Sequence, residues 1–143
     1  MLEILSINHV GIRISDKQAS IDFYSVLGFE MLNDVGFEEG HPVIIKHPCG
    51  VVLNLLGPAT ATGDTNILMD VDEKHTGITH FALTVSSMEH AKSFVGDSNI
   101  DITGSFSFGN MSAIFIRDPD RNVIELDAYG EDTCEGEGYE EHP

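Results

Sequence analysis

Two stretches of the chain carry apolar residues at the spacing of an amphipathic helix. The apolar positions are Ala19, Phe23, Val26 and Leu27 in the first stretch and Met88, Ala91, Phe94 and Val95 in the second. Because an α-helix has about 3.6 residues per turn, this spacing predicts two helices that each bury one face. Gly28 and Asn99 follow them, and these residue types best tolerate the left-handed backbone that closes a helix.

Capping-box sequences precede both helices. Ser15-Asp16-Lys17-Gln18 and Ser86-Ser87-Met88-Glu89 each place a hydroxyl three residues before a Gln or Glu. In such a box the hydroxyl accepts from an early helical N–H, and the Gln or Glu side chain reaches back. We therefore expect the two helices to begin at equivalent points.

Segments of β character surround each helix. Residues 7–14 and 78–85 alternate or run apolar before the helices, and three short β-like segments follow each helix. The last hairpin of each half is marked by a turn with Pro at its second position, His47-Pro48-Cys49-Gly50 and Asp118-Pro119-Asp120-Arg121. The pattern predicts an α+β fold of two tandem βαβββ modules.

An internal repeat without gaps relates the two halves. Ile7-Asn8-His9-Val10 lies over Ile78-Thr79-His80-Phe81 at an offset of 71, the difference between 80 and 9. The same offset places Ser15 on Ser86, Phe23 on Phe94, Pro48 on Pro119, Val52 on Val123 and Leu55 on Leu126. The match spans both halves of the chain and supports two modules of one design.

These boundaries divide the chain into four parts. We interpret residues 1–143 as one domain with module one at about 4–56, a linker at about 57–77, module two at about 78–129 and an acidic tail at 130–143. The linker contains an apolar island, Ile67-Leu68-Met69, which we expect to pack against the protein, with a subunit contact as one option. The tail is rich in Glu and Gly, and we expect most of it to be mobile.

The charge balance excludes two classes of partner. The 24 acidic and 7 basic side chains give a formal net charge of −17. This charge opposes the phosphate neutralisation that nucleic-acid binding needs, and it repels anionic membrane surfaces. Either a salt-rich environment or an ordinary solvated surface accounts for such acidity.

Cysteine use and the N-terminus favour a cytoplasmic protein. Cys49 and Cys134 are too few and too far apart for a disulfide framework or a thiolate metal site. The first residues lack a basic segment followed by an apolar run, and no stretch approaches the roughly 20 apolar residues of a membrane span. We therefore expect reduced thiols and no membrane anchor.

Two histidines occupy equivalent places in the repeat. Strand side chains alternate faces, so His9 and Arg13 share one face of the first strand, and His80 lies on the matching face of module two. Glu125 lies on the last strand of module two, and the offset of 71 places Asn54 at its counterpart in module one. His9, His80 and Glu125 converge if the modules pair about a pseudo-dyad.

Three motifs carry a resemblance to a known family. They are Asn8-His9-Val10-Gly11-Ile12, Thr79-His80-Phe81-Ala82-Leu83 and the run from Arg117 to Leu126. In order and spacing they resemble the vicinal oxygen chelate superfamily, which includes glyoxalases, extradiol dioxygenases and bleomycin resistance proteins, over roughly Ile4 to Tyr129. The resemblance implies that the paired modules form a cup-shaped mixed sheet. Half-open sheets and the apolar linker island also leave surface to cover, so we expect a homodimer.

The resemblance implies a metal site. In the family, ligands come from the first and last strands of each module, which makes His9, His80 and Glu125 the ligand positions here. Two imidazoles and a carboxylate suit one divalent Fe, Mn, Ni or Zn ion and leave coordination sites for a substrate or water. The alternative is that both histidines are hydrogen-bonded core residues and that Glu125 is an exposed strand residue.

Asn54 departs from the glyoxalase pattern, in which this position is a metal-binding Glu that also moves a proton. An Asn carbonyl can still contact a substrate or ligate, but it cannot act as a base. The remaining triad fits a glyoxalase-like lyase or isomerase, an extradiol-type dioxygenase, or a thiol transferase of the fosfomycin-resistance type, each acting on a small oxygen-rich molecule. A metal-free protein that sequesters a ligand, as bleomycin resistance proteins do, is the alternative from another class.

Other candidate residues complete the site. Arg13 is a substrate-binding candidate that would bind a carboxylate or phosphate, with an internal ion pair to Asp127 or another acid as the alternative. Asn54 is the second substrate-binding candidate. Glu125 and Asp127 are the catalytic candidates; Asp127 would act as a base or support a ligand, unless it is merely solvated.

Overall fold

A computed structural model describes residues 1–61 and 65–130 and the backbone of residues 138–139. The chain divides into two compact units, Met1–Gly63 and Asp64–Pro143, and each is described by itself. The grouping of both modules into one domain stays a prediction.

The first unit contains one helix and a mixed sheet. Its elements are β1 (Val10–Arg13), α1 (Lys17–Val26), β2 (Glu30–Asn33), β3 (Val43–Lys46) and β4 (Val52–Leu56). The strand order is β1-β4-β3-β2. β1 runs parallel to β4, and the other neighbours are antiparallel. The helix therefore lies in the crossover that follows β1, as the βαβββ prediction requires.

The second unit repeats this plan and adds a short strand. Its elements are β5 (His80–Thr84), α2 (Met88–Asp97), β6 (Gly104–Phe108), β7 (Met111–Arg117), β8 (Val123–Tyr129) and β9 (Gly138–Tyr139). The strand order is β5-β8-β7-β6-β9, with β5 parallel to β8. β9 pairs antiparallel with β6. Residues 131–137 and 140–143 of the tail, including Cys134, lie outside the described residues, so the expectation about their mobility stays untested.

The two modules share their strand register as well as their strand order. On the parallel pairs the partners are Gly11 with Asn54 and Arg13 with Leu56 in the first unit, and Ala82 with Glu125 and Thr84 with Asp127 in the second. Each pair in the second unit lies 71 residues after its counterpart. The repeat therefore extends to individual backbone pairings, which confirms the predicted α+β fold of two βαβββ modules.

The helix caps differ from the prediction. Each helix is capped one residue later than the predicted hydroxyl, because the Asp16 carboxylate accepts from Ala19 N at 3.0 Å and Ser87 caps α2. Gln18 does not reach back; its amide donates to Asp22 Oδ1 at 2.8 Å. The capping-box prediction was wrong in the first helix because Asp is as effective an N-cap as Ser. The equivalence of the two starting points is confirmed.

The predicted helix ends are confirmed. Gly28 has φ 102° and Asn99 has φ 56°, so both adopt the left-handed conformation directly after their helices. The buried face of α2 contains Ala91 and Val95 as predicted, whereas Phe94 is 38% exposed.

The buried face of α1 was predicted incorrectly. Ser20 and Tyr24 are fully buried, whereas Val26 is 47% exposed. The Tyr24 ring makes edge contacts with Phe23 at 5.1 Å and Phe29 at 5.7 Å between centroids. Burial of the large aromatic ring therefore turns the inner face of α1 by about one residue from the face that apolar spacing indicates.

One face of each sheet is buried in the core of its own unit. The fully buried strand side chains include Val43, Leu53 and Leu55 in the first unit and Ile114, Ile116 and Ile124 in the second. Because strand side chains alternate faces, the residues between these positions lie on the opposite face. That face carries the candidate functional residues. Over the described ranges no helix is long and apolar enough to cross a membrane.

Candidate functional site

The second unit brings together His80 and Glu125. β5 and β8 are parallel neighbours in which His80 pairs with Val123 and Ala82 pairs with Glu125, so both functional side chains lie on one face of the sheet. His80 Nε2 lies 2.9 Å from Glu125 Oε2. The exposed fractions of the two side chains are 34% and 12%. The pair is thus open to solvent on the imidazole side and enclosed on the carboxylate side.

Two further contacts fix the His80 ring. Thr79 Oγ1 lies 2.8 Å from His80 Nδ1. The edge of the imidazole meets the Phe115 ring at 6.0 Å between centroids, and Phe115 stacks on Phe106 at 6.4 Å. Phe115 pairs directly with Glu125 on the neighbouring strands. An aromatic wall therefore stands beside the histidine and carboxylate pair.

Asp127 adds a second carboxylate on the same face. It lies two residues beyond Glu125 on β8 and pairs with Thr84. Asp127 is only 8% exposed, and its Oδ1 is buried without a hydrogen-bond partner among the described residues. A buried acceptor left unpaired costs about 1–3 kcal/mol. Asp127 therefore adds a buried group that only accepts hydrogen bonds to the face that carries His80 and Glu125.

The first unit presents His9, Asn54 and Arg13. His9 lies directly before β1 and is exposed, with Nδ1 2.7 Å from Asn8 Oδ1. Asn54 is half-buried and pairs with Gly11 and Ile44. Arg13 is exposed and pairs with Leu56 on its only neighbouring strand. No acid of the first sheet therefore faces Arg13 from the adjoining strand.

The predicted triad is divided between the units, with His9 in the first and His80 and Glu125 in the second. Within either unit, over the residues that the structure describes, no three His, Cys, Asp or Glu side chains lie close enough together to hold a metal ion. His80 and Glu125 form the contacting pair of the triad in the second unit. Their use as ligands with His9 stays a prediction.

A charged cluster at the end of β7 escaped the sequence analysis. Arg117 donates to both oxygens of Asp70, Nη1 to Oδ2 at 3.0 Å and Nη2 to Oδ1 at 2.9 Å. Arg121 Nε adds a third bond to Oδ2 at 3.0 Å, and Asn66 N a fourth at 3.3 Å. The hydrogen bonds from Arg117 are the main cause that holds the pKa of Asp70 well below its usual value.

This cluster docks the linker onto the second unit. The turn at residues 66–70 contains the apolar island, and Asn66 also donates to Arg121 O at 3.0 Å. Leu68 lies so close to Gly77 that an added Cβ there would stand 3.0 Å from its side chain. Leu68 and Met69 are half-buried in their own unit, whereas Ile67 is 59% exposed, so the island packs only in part. No local pattern could have revealed the cluster, because Asp70 and Arg117 are 47 residues apart.

Known proteins resemble this chain in sequence pattern and in fold. A family model described as the Glyoxalase/Bleomycin resistance protein/Dioxygenase superfamily matches residues 6–126. No curated protein matches the chain.

Solved structures share the fold at low sequence identity. A glyoxalase family protein from Enterococcus faecalis is 24% identical, with a TM-score of 0.70 over 85% of this chain and 96% of that one. A glyoxalase/dioxygenase from Nostoc punctiforme is 23% identical, with a TM-score of 0.69 over 92% and 99%. A lactoylglutathione lyase from Agrobacterium tumefaciens is 21% identical, with a TM-score of 0.63 over 86% and 92%. At these identities the likeness shows the fold alone.

Proposed function

Since the chain belongs to the Glyoxalase/Bleomycin resistance protein/Dioxygenase superfamily, as the sequence motifs predict, we propose that it is a metal-dependent enzyme acting on a small oxygen-rich molecule. His9, His80 and Glu125 are the proposed ligands of one divalent Fe, Mn, Ni or Zn ion. The reaction is that of a glyoxalase-like lyase or isomerase or of an extradiol-type dioxygenase.

The observation that carries the proposal is the pairing of His80 with Glu125. Their Nε2 and Oε2 atoms lie 2.9 Å apart, so an imidazole and a carboxylate stand side by side on one face, which is the pairing that the proposed ligand set needs. The buried Oδ1 of Asp127, on the same face and without a partner in the described part of the chain, adds an acceptor that needs a positive or donating group. Unit two therefore holds a concentration of negative charge that a divalent cation would offset.

A bound divalent ion would supply Lewis acidity toward the oxygens of a substrate. The remaining work falls to side chains of the chain itself. Glu125 contributes the charge that offsets the ion, and Asp127 accepts a proton from the substrate. Arg13 binds an anionic group of the substrate through its guanidinium, and the amide of Asn54 contacts a substrate oxygen. Phe115 and Phe106 exclude water on one side of His80.

Asn54 bears on the reaction type. An amide does not take up a proton, so a mechanism that needs a second carboxylate base from module one is disfavoured. We therefore expect little isomerisation of the methylglyoxal–glutathione hemithioacetal. Efficient conversion of that substrate by the wild-type protein would show that the argument from Asn54 is wrong.

The metal content of the protein tests the proposal. Wild-type protein purified without added metal should retain close to one divalent ion per chain by elemental analysis. His9→Ala, His80→Ala and Glu125→Ala should each lose it, whereas His90→Ala, on the exposed side of α2, should not. Unaltered metal content in all three site variants would overturn the proposed ligand set.

A metal-free ligand-binding protein is the second candidate. The direct hydrogen bond between His80 and Glu125 satisfies both groups without an ion, and a net charge of −17 favours a cationic ligand. If the wild-type protein retains no metal under any loading condition and binds a planar cationic ligand with micromolar affinity or better, this candidate replaces the enzyme. A thiol transferase of the fosfomycin-resistance type would instead bind metal and consume a thiol.

We also propose a homodimer. Ile7 and Ile78, equivalent in the repeat, are 85% and 87% exposed, and Phe108 is 69% exposed. Exposed apolar side chains of this size favour association. Light scattering should give a mass near twice the 15.6 kDa of one chain, and a mass of one chain at all concentrations would contradict it. A cytoplasmic location stays a prediction from the sequence.

A further inference from the structure

The residue before each repeat histidine contacts the inner nitrogen of its ring. Asn8 Oδ1 lies 2.7 Å from His9 Nδ1, and Thr79 Oγ1 lies 2.8 Å from His80 Nδ1. The two contacts occupy the same place in the repeat. We propose that Asn8 and Thr79 are positioning residues that decide which nitrogen of each imidazole carries the proton. The inference rests on the metal function proposed above, because it concerns which nitrogen is offered to an ion.

Asn8 imposes one tautomer on His9. An amide oxygen only accepts hydrogen bonds, so the short contact requires a proton on His9 Nδ1. A neutral imidazole has one N–H, and its other nitrogen then keeps a lone pair. His9 therefore presents Nε2 as a ready metal ligand before any ion arrives.

Thr79 allows two tautomers of His80. A carboxylate also only accepts, so the 2.9 Å contact with Glu125 places the proton on His80 Nε2, and Nδ1 accepts from the Thr79 hydroxyl. Coordination through Nε2 needs the proton on Nδ1 instead. A hydroxyl can accept as well as donate, so Thr79 supports that form after rotation about its C–O bond. His80 can thus adopt either tautomer, whereas His9 is held in one.

The positioning roles of Asn8 and Thr79 should change metal affinity by a measurable amount. The partner of the non-ligating nitrogen orients a metal-binding histidine, and its removal typically costs 10–100-fold in metal affinity. Asn8→Ala should therefore weaken Zn²⁺ binding by about 10-fold or more. Thr79→Asn should strengthen it, because the tautomer that ligates would then be favoured before binding and the contact with Glu125 would no longer compete.

The first experiment reads the tautomers directly. Ring ¹⁵N chemical shifts of metal-free wild-type protein, at about two pH units above the usual histidine pKa of ~6.5, distinguish Nδ1–H from Nε2–H. His9 should be the Nδ1–H form and His80 the Nε2–H form. An Nε2–H form of His9, or an Nδ1–H form of His80, would overturn the inference. This measurement needs no variant and no metal.

The second experiment measures Zn²⁺ affinity by competition with a chelator. Asn8→Ala is compared with Asn33→Ala, a change at an exposed Asn that ends β2, and Thr79→Asn with Thr79→Ser, which keeps the hydroxyl. Only Asn8→Ala and Thr79→Asn should change affinity, in opposite directions and together with the ring ¹⁵N shifts. Unchanged affinity in Asn8→Ala overturns the inference. If wild-type protein binds no Zn²⁺, the proposed metal function fails, whereas a wrong tautomer in a protein that binds Zn²⁺ overturns the positioning roles alone.

Discussion

The two modules share a backbone plan but differ in the side chains that the plan presents. Positions separated by 71 residues pair Gly50 with Arg121, Asn54 with Glu125 and Leu56 with Asp127. β4 and β8 keep the same register with their parallel neighbours, so backbone hydrogen bonds place these residues equivalently. The neutral residues lie in the first module and the charged ones in the second.

The difference shows where such a repeat can vary without losing its fold. Val43, Leu53 and Leu55, on the core face of the first sheet, correspond to Ile114, Ile124 and Leu126 in the second, and all are apolar and buried. Close packing restricts the volume and polarity of those positions. The opposite face carries no such restriction, so charge accumulates there in one module and not in the other. We therefore expect the second module to dominate metal binding.

The largest expected effect comes from the charge of Glu125. Glu125→Gln keeps an oxygen that accepts from His80 but removes the negative charge opposite the ion. Metal affinity should fall on the order of 100-fold or more, beyond the effect of outer partners, and thermal stability should change little. Glu30→Gln, on exposed β2, is the matched control. Equal metal loss in both variants would mean that net charge, and not the site, holds the ion.

The next effect concerns Asp70, which docks the linker turn onto the second unit. Asp70→Asn leaves the nearly buried Arg117 guanidinium, whose side chain is 9% exposed, without its carboxylate. The free energy of unfolding should fall by about 1.5–3 kcal/mol, the range for hydrogen bonds to charged groups. Denaturant unfolding measures this, with the exposed Asp72→Asn as the control. Equal stability of the two variants would contradict the docking role.

The lowered pKa of Asp70 also predicts that stability depends on pH. Its pKa is lower in the folded protein than in the unfolded chain, so the folded state binds this proton more weakly. The stabilisation is complete above the ordinary carboxyl pKa of about 3.9 and is lost as pH falls through the lower folded value. Wild-type stability should therefore decline below about pH 4, and Asp70→Asn should remove this part of the decline. An identical acid profile in both proteins would show that other carboxylates cause it.

A smaller effect sharpens the comparison of Asn54 with Glu125. Asn54→Glu gives module one the carboxylate that its counterpart carries, and metal affinity should rise by about 10-fold if the added charge reaches the ion. Asn33→Glu adds the same charge on the exposed β2 strand and should leave affinity unchanged. If metal affinity rises in both variants, the added negative charge acts through general electrostatics and not through the site.

The sequence predicts most of the fold because strand register repeats with the apolar pattern. A one-residue slip would turn core residues outward, so the offset of 71 carries over to backbone pairing and places His80 beside Glu125. The inner face of α1 was missed, since Tyr24 is buried by ring packing that periodicity does not reveal. The roles of Asn8 and Thr79 were missed too. Adjacent residues of a strand normally face opposite ways, so a contact between Asn8 and His9 was not expected. Both residues precede β1, and that alternation does not hold for them.

The bond between Asp70 and Arg117 lay beyond any sequence argument of this kind. It joins residues 47 positions apart. The turn that brings them together has no repeating pattern of apolar residues from which its position could be predicted. Arg121 was read as an ordinary turn residue for the same reason. Its backbone has φ 66°, where Gly50 in module one has φ 108°. An arginine in this conformation costs roughly 1–2 kcal/mol, and its contact with Asp70 offsets part of that cost.

The smallest expected effect tests the balance between the backbone cost at Arg121 and its contact with Asp70. Arg121→Gly relieves the backbone cost but removes the Nε bond to Asp70 at 3.0 Å, so the free energy of unfolding should change by less than about 1 kcal/mol. In an Asp70→Asn background the bond to the carboxylate is already lost, and Arg121→Gly should become stabilising. Gly50→Arg, in open space with no atom near the added Cβ, should only destabilise. A double-mutant cycle by denaturant unfolding gives all three values. If Arg121→Gly has the same effect in both backgrounds, Asp70 does not offset the strained backbone and the contrast between Gly50 and Arg121 has another cause.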